Sequence, residues 1–344
     1  MVSYVILANP GHNRIYFSSA VETAKLELNA IMQNFGVKIL DSEKDVKSLP
    51  AHICFDSKET LSDEVLKAVG ASSLFYAMFE IKEDGLLKPI LVPDFKVFDE
   101  SINSIMRYTG KTNEQFTRLM VNLAVSACRT NSDNLKLLDP MCGKGTTLFE
   151  GMIRGFNTVG VEINQQWFSE LCTYIVKYLQ TGKYKHTTAK EKRSEKGKKI
   201  AEFFNVTTAP TKEDFVNKNT VSLDVFNADT RICDKFIKKN SCDIIVSDLP
   251  YGVQHASKSK SGNTQQLSRS PYELLKESLP AWKTVLKKGG AMVLSFNEFT
   301  LKYDGTAKLL EENGFEVMRE APFFGYKHRV DQAIVRDLIV AVKL

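Results

Sequence analysis

The chain has 344 residues, of which 43% are hydrophobic and 25% charged. That is the balance of a folded globular protein with apolar material for a sizeable core. No apolar run approaches the roughly 20 residues needed to span a bilayer, and the opening MVSYVILANPGHNR lacks the basic start and apolar stretch of a secretory leader. A cytoplasmic location away from membranes is therefore expected. The six cysteines (Cys54, Cys128, Cys142, Cys172, Cys233 and Cys242) form no CxxC pair and have no zinc-type spacing to paired histidines. Neither a structural zinc nor a disulfide framework is expected, and no metal is assigned.

The net charge of +5 is concentrated. Lys183 to Lys199 holds eight Lys/Arg against two Glu, a local +6 that leaves the rest of the chain near −1. Such a segment can attract a phosphate backbone over a Debye length, or serve only as a solvated surface helix or loop.

Residues 1–98 are expected to form a small α+β domain. Val2–Leu7 has strand character, and Val21, Ala24, Leu28 and Ile31 space a helix over Ala20–Phe35 that Gly36 would end. Short strands are predicted at Val37–Leu40 and His52–Phe55, a helix at Asp63–Val69 and a strand at Leu74–Ile81. Pro89 and Pro93 then break the pattern, and a boundary is expected near residue 100.

From residue 99 to 344, strands and helices alternate. Helices are predicted at Glu114–Arg129, Thr146–Arg154, Trp167–Leu179 and Tyr272–Leu286, with a further one closing at Gly314. Strands are predicted at Leu135–Asp139, Thr158–Glu162, Val221–Asp229, Asp243–Ser247 and Ala291–Phe296. The basic insertion, about 183–210, is expected to end in a helical IAEFF, and Gly289-Gly290 to terminate the helix before them. Alternating β and α predicts an α/β fold with a doubly wound parallel sheet. The last strands, Phe315–Glu320 and Asp331–Val342, would supply an antiparallel edge.

Asp139-Pro140-Met141-Cys142-Gly143-Lys144-Gly145-Thr146 lies between the first of these strands and its helix. In doubly wound sheets ligands bind at that edge, and the two glycines let the backbone approach one closely. Glu162, 17 residues after Gly145, ends the next strand, where a carboxylate suits ribose hydroxyls. Lys144 is followed by glycine rather than Ser/Thr, which disfavours a nucleotide P-loop. Leu148 stands where a dinucleotide loop needs its third glycine. S-adenosylmethionine remains, a ligand with ribose and adenine but no phosphate. Asp139, Cys142, Gly143, Gly145, Thr146 and Glu162 are expected around it, with Asp139 toward the amino-acid end and Asp229 either against the adenine amine or capping a turn.

After the fourth strand comes Ser247-Asp248-Leu249-Pro250-Tyr251-Gly252, close to the (Asp/Asn)-Pro-Pro-(Tyr/Phe) signature of amino-group methyltransferases. An amine conjugated to an aromatic ring is a poor nucleophile because its lone pair is delocalised. Two acceptors that bond its two hydrogens draw the nitrogen toward a tetrahedral shape. The Asp248 carboxylate and the Pro250 carbonyl can be those acceptors, with Tyr251 stacking on the base. Leu249 replaces the commoner proline without removing either acceptor. Asp248 also borders the cofactor. The polar stretch Val253–Ser270 is either a lid closing over substrate, with Lys258, Lys260 and Arg269 as binding residues, or an uninvolved surface loop. The cluster from Phe323 to Arg329 is either a stacking and phosphate contact or ordinary core aromatics.

These segments resemble the RNA methylases that include the THUMP-linked tRNA guanine N2-methyltransferases of the guanosine-10 type. The matching stretches are Tyr108–Thr112, Asp139–Thr147, Gly160–Asn164 and Asp248–Val253, with Ala8–His12 a fainter likeness to those enzymes' N-terminal module. The resemblance implies a Rossmann-like class I methyltransferase sheet, S-adenosylmethionine as cofactor, Asp248 as amine acceptor, and RNA, specifically tRNA, as partner. No activating subunit is indicated. A DNA adenine-N6 methyltransferase shares both motifs and is the alternative, but the basic insertion is poor in aromatics and offers little for reading base edges. A non-catalytic nucleic-acid-binding protein with a relic methyltransferase fold is the alternative of another class.

Overall fold

The computed structural model describes residues 1–10, 14–42, 44–105, 111–132, 134–251 and 270–344. The N-terminal unit runs β1 (Val2–Ala8), α1 (Arg14–Gln33), β2 (Leu40–Asp41), β3 (His52–Ser57), α2 (Asp63–Gly70), β4 (Phe75–Ile81) and β5 (Leu87–Pro89). Its strands form one antiparallel sheet in the order β2-β3-β1-β4-β5. The helix expected from Ala20 begins at Arg14. The strand expected at Val37–Leu40 shrinks to Leu40–Asp41, because the chain leaves the helix through Gly36 at φ 67° and pairs only with Phe55 and Asp56.

The second unit continues with α3 (Ser101–Ser104), α4 (Glu114–Ala127), β6 (Lys136–Asp139), α5 (Thr146–Ile153), β7 (Asn157–Glu162) and α6 (Gln165–Thr181). Next come β8 (His186–Glu195), β9 (Lys198–Thr208), α7 (Lys212–Val216), β10 (Val221–Asn227), a 3₁₀ turn at Thr230–Lys235 and β11 (Cys242–Asp248). The chain closes with α8 (Pro271–Val285), β12 (Leu286–Asn297), α9 (Tyr303–Glu312), β13 (Phe315–Val317), β14 (His328–Arg329) and β15 (Val335–Lys343). The sheet order is β13-β15-β12-β11-β6-β7-β10-β9-β8, with β14 on β15. The strands β12, β11, β6, β7 and β10 are parallel, and β15 is antiparallel to β12. This is the Rossmann-like α/β sheet of class I methyltransferases, with the expected antiparallel edge.

Two expectations are corrected. The basic insertion is a β-hairpin, not a segment ending in a helix. Glu195 pairs with Lys198 across a two-residue turn in which Lys196 (φ 49°) and Gly197 (φ 76°) both have positive φ. That geometry matches the right-handed twist of the flanking strands. The apparent helical spacing of IAEFF yields because β9 pairs with β8 and, over residues 202–208, with β10, and Ala201, Phe204, Val206 and Thr208 are buried. Gly289 and Gly290 do not end a helix either. That helix stops at Val285, and both glycines lie in an irregular stretch of β12, where a side chain on Gly290 would come within 2.7 Å of the Asp243 carbonyl.

One apolar core joins Tyr4, Leu28, Phe55 and Val69 of the N-terminal unit to Phe116, Leu123, Phe149 and Leu171 of the larger one. A buried polar network crosses the same junction. The fully buried Glu27 of α1 accepts from the Ser73 amide at 2.9 Å, the Ser73 hydroxyl at 2.5 Å and Asn122 Nδ2 of α4 at 2.5 Å. Asn122 also donates to the Ala71 carbonyl at 2.8 Å, and its oxygen accepts from Arg154 at 2.6 Å. Arg154 and Arg118 converge on buried Glu150 at 3.0 and 3.1 Å. Burial pushes the Glu27 carboxyl up, and the Ser73 and Asn122 bonds oppose the rise. Asn122→Ala is expected to lower unfolding free energy by roughly 2–4 kcal/mol in urea denaturation, because it strands groups on both sides of the junction.

Candidate active site

Parallel pairing of Leu137 with Ile244 and Leu138 with Ile245 sets the carboxyl ends of β6 and β11 side by side. Asp139 and Ser247 then meet, the Ser247 hydroxyl donating to Asp139 Oδ1 at 2.8 Å. The same oxygen accepts the Met141 amide at 3.1 Å, which shapes the loop. Asp139 is only 3% exposed. Burial pushes its carboxyl up to about 7, and bonds from Ser247, Met141 and Thr147 pull the other way.

The glycine loop folds over β7. Gly143 (φ 54°) donates its amide to Glu162 Oε2 at 2.8 Å, and Gly145 (φ 94°) caps α5 in the left-handed conformation. A side chain on Gly145 would meet Leu171 at 2.9 Å, so the helix needs glycine there, whereas the space beside Gly143 is open. Cys142 is buried beneath the loop, its amide bonded to the Val161 carbonyl at 3.0 Å, and burial lifts its thiol well above the usual range. Thr146 is buried in the first turn of α5. Glu162 also accepts the Asn164 amide at 2.6 Å, and burial pushes its carboxyl up. The next residue, Ile163, is 61% exposed at the same edge. An open glycine face, a carboxylate with further lone pairs and an adjoining exposed apolar side chain fit a nucleoside-bearing ligand without phosphate.

Asp229 follows β10 and caps the 3₁₀ turn, accepting the Arg231 amide at 3.0 Å and Arg231 Nε at 2.9 Å. The turn-capping reading is thus realised. Asp248, 18% exposed, ends β11. Its Oδ2 accepts the Thr112 hydroxyl at 2.8 Å, and the Tyr251 hydroxyl donates to its two oxygens at 2.8 and 3.0 Å. Tyr251 in turn accepts Arg336 Nε at 2.8 Å. Burial, and then the Asp248 charge, push the Tyr251 phenol well above its ordinary range. The guanidinium of Arg336, itself 7% exposed, lies 4.3 Å from the Phe116 ring centroid and 3.9 Å from Asp248 Oδ2. Pro250 is exposed. Leu249 is buried, and its amide donates to the Ser295 carbonyl at 2.8 Å. Proline could not make that bond, a physical reason for leucine here.

Thr112 and Arg336 were not singled out in the sequence as site residues. Arg336 had a signal: with Asp337 it places charges inside an apolar terminal strand. Lys258, Lys260, Arg269 and the proposed lid from Val253, together with Tyr108–Gly110 and Gly11-His12, lie outside the described residues. Phe323, Tyr326 and His328 of the Phe323–Arg329 cluster are buried in the fold, while Phe324 is 43% exposed. Among the described residues, Asp45, His52 and Cys54 come together although no spacing announced them, and His52 Nε2 lies 3.0 Å from Asp45. No described helix is long and apolar enough to cross a membrane.

The Asp139 value has a consequence for pH. A carboxyl whose folded value lies above its unfolded one stabilises the fold fully only below about pH 4, and loses that contribution as pH rises toward 7. Asp139→Asn keeps an acceptor for Ser247. It is expected to gain roughly 2–4 kcal/mol relative to wild type as pH rises from about 4 to 8. Urea midpoints across that range measure the difference, and parallel curves would sink the assignment.

Residues 106–300 match the family model for the RMKL-like methyltransferase domain. No curated protein matches the chain. Among solved structures, TrmN from Thermus thermophilus is similar at 11% identity over 100% of both chains, with a TM-score of 0.46. An rRNA methylase from Streptococcus thermophilus is 10% identical over 62% of this chain and 89% of that one, at a TM-score of 0.34. The magnesium protoporphyrin IX methyltransferase from Synechocystis, solved with S-adenosylmethionine bound, is 14% identical over 67% and 79%, at 0.38. S-adenosylmethionine is the cofactor that a methyltransferase domain of this fold uses, and the loop and Glu162 fit it. The matched span is more than half of the sequence and runs from the segment before α4 to just past β12, and on that ground the chain belongs to the RMKL-like methyltransferase domain family.

Proposed function

We propose that this protein transfers a methyl group from S-adenosylmethionine to an exocyclic amino nitrogen of a base in RNA, with guanine N2 of tRNA as the preferred reading. The observation that carries the proposal is the position of Asp248. Its carboxylate ends β11, next to β6 and its glycine loop, so an amine held there lies beside the cofactor's end of the sheet. The bound cofactor supplies an electrophilic methyl group. Asp139, Gly143, Gly145, Thr146 and Glu162 would hold it, with Cys142 supporting the loop from beneath and Asp229 bordering the adenine side.

The chain's own residues must localise the lone pair of a conjugated amine. Asp248 accepts one N–H and the Pro250 carbonyl the other. Thr112 fixes the carboxylate by its 2.8 Å bond. The Tyr251 hydroxyl already donates to Asp248, so an entering amine competes with it for the same lone pairs. When the phenol yields, its ring is free to stack on the base, while Arg336 Nε still donates to the hydroxyl oxygen. A base in a folded RNA must leave its stack to reach this position. Lys258, Lys260 and Arg269 belong to the proposal as substrate contacts on the strength of their charge.

Asp248→Ala is expected to reduce methyl transfer to unfractionated tRNA by roughly 10²–10³-fold, with S-adenosylmethionine affinity by calorimetry little changed. Transfer at the wild-type rate would refute the acceptor role. Nucleoside mass spectrometry of the product names the base: N2-methylguanosine supports the reading, whereas N6-methyladenine appearing only in DNA overturns it. Binding of RNA without any binding of the cofactor would favour the relic alternative.

A further inference from the structure

We infer that the β8–β9 hairpin is a second anchor for the substrate's phosphate backbone, set about 20 Å from the reacting base, so that the enzyme requires a polynucleotide and not a free nucleotide or very short oligomer. The inference rests on the RNA reading above and adds to it a partner surface and a minimum substrate length.

The topology gives the hairpin its reach. Asn227, the last residue of β10, pairs with Glu202 of β9, and Glu202 pairs with Lys192 of β8. The residues from Arg193 to Ala201 therefore extend past the carboxyl edge of the parallel strands, the edge that carries Gly143, Glu162 and Asp248. At roughly 3.4 Å per residue the tip stands about 13 Å beyond Asn227. Glu195 at the tip makes an ion pair with Lys235 after β10 at 2.7 Å. Laterally, β9 is four strands from β11 in the order β11-β6-β7-β10-β9, or about 19 Å at roughly 4.8 Å per strand.

The chemistry of the surface selects its occupant. Most apolar side chains of the hairpin are taken up: Ala201, Phe204 and Val206 are buried, Ile200 is half-buried, and Phe203 stacks on Phe226 at 4.8 Å between centroids. What remains exposed near the tip is Lys190, Lys192, Arg193, Lys196, Lys198 and Lys199, among small polar side chains. Glu191 engages Arg193, Glu195 engages Lys235 and Glu202 engages Lys199, while Lys196 and Lys198 have no carboxylate within 4 Å among the described residues. A surface of cations with no large exposed apolar side chain offers little that a protein partner buries, and its point charges suit phosphates. A span of about 20 Å corresponds to about six nucleotides of stacked strand at roughly 3.4 Å per phosphate.

The test uses the full chain with Lys192, Lys196 and Lys198 changed together to Glu, and a second variant with all three changed to Gln. Fluorescence anisotropy compares unfractionated tRNA with a guanosine-containing tetranucleotide over a salt series. Thermal unfolding and cofactor calorimetry report whether the fold is intact. Wild type should bind tRNA far more tightly than the tetranucleotide. The Gln variant should lower the slope of log affinity against log salt for tRNA by about 2–3, lose at least tenfold in tRNA affinity, and leave cofactor and tetranucleotide binding unchanged. The Glu variant should lose more. A tRNA affinity and salt slope unchanged in both variants would overturn the inference. Methyl transfer by wild type is scored separately. RNA methylated equally well by wild type and variants sinks the hairpin alone, whereas RNA bound through the hairpin but never methylated sinks the proposed reaction alone.

Discussion

The hydrogen bond between Ser247 and Asp139 marks the constraint on which the rest of the site depends: the ends of β6 and β11, 108 residues apart, must lie side by side. Parallel strands present their carboxyl ends at one edge, and the reversal of winding direction beside β6 leaves a crevice there. The glycine loop leaves β6 into that crevice, and the Asp248 motif leaves β11 into it. The bond is made at a cost, because Asp139 is buried with its carboxyl pushed up to about 7. Burial of this acid couples the stability of the loop to pH.

Around Asp248 the structure assembles a closed set of polar partners. Thr112 comes from ahead of α4, Tyr251 from the motif itself and Arg336 from the terminal β15. The Arg336 guanidinium is held over the Phe116 ring, so a buried cation is shared between an aromatic face, a phenol and a carboxylate. In this arrangement the Asp248 carboxylate already has partners, which the proposed amine would have to share or displace. β15 thereby supplies a partner to the Asp248 cluster as well as a strand between β13 and β12.

The N-terminal unit and the hairpin are joined to the same scaffold by different means. Glu27, Ser73, Asn122 and Arg154 tie the small sheet to α4 and α5 through buried hydrogen bonds, so these elements share one core. The hairpin instead continues the large sheet from β10 and spends its apolar residues on that attachment, leaving cations at its tip.

Much of the architecture could be read from the chain. The apolar strands ending at Asp139, Glu162 and Asp248, the helices between them and the glycine loop all stand where spacing and turn chemistry put them, because each is specified by residues close in sequence. The hairpin was misread because four residues of IAEFF fit a helical face as well as a strand, and only pairing with β10 decides between them. The roles of Thr112 and Arg336 were hidden for a similar reason. Each is a single polar residue whose meaning comes from a partner more than 80 positions away. By itself, then, the sequence determined the parallel strands, the glycine loop and the Asp248-Leu249-Pro250-Tyr251 turn, since local propensity and periodicity specify them. Only the tertiary structure decided what surrounds Asp248, where the cations of the insertion point and how the N-terminal unit is joined, because those depend on which distant strands become neighbours.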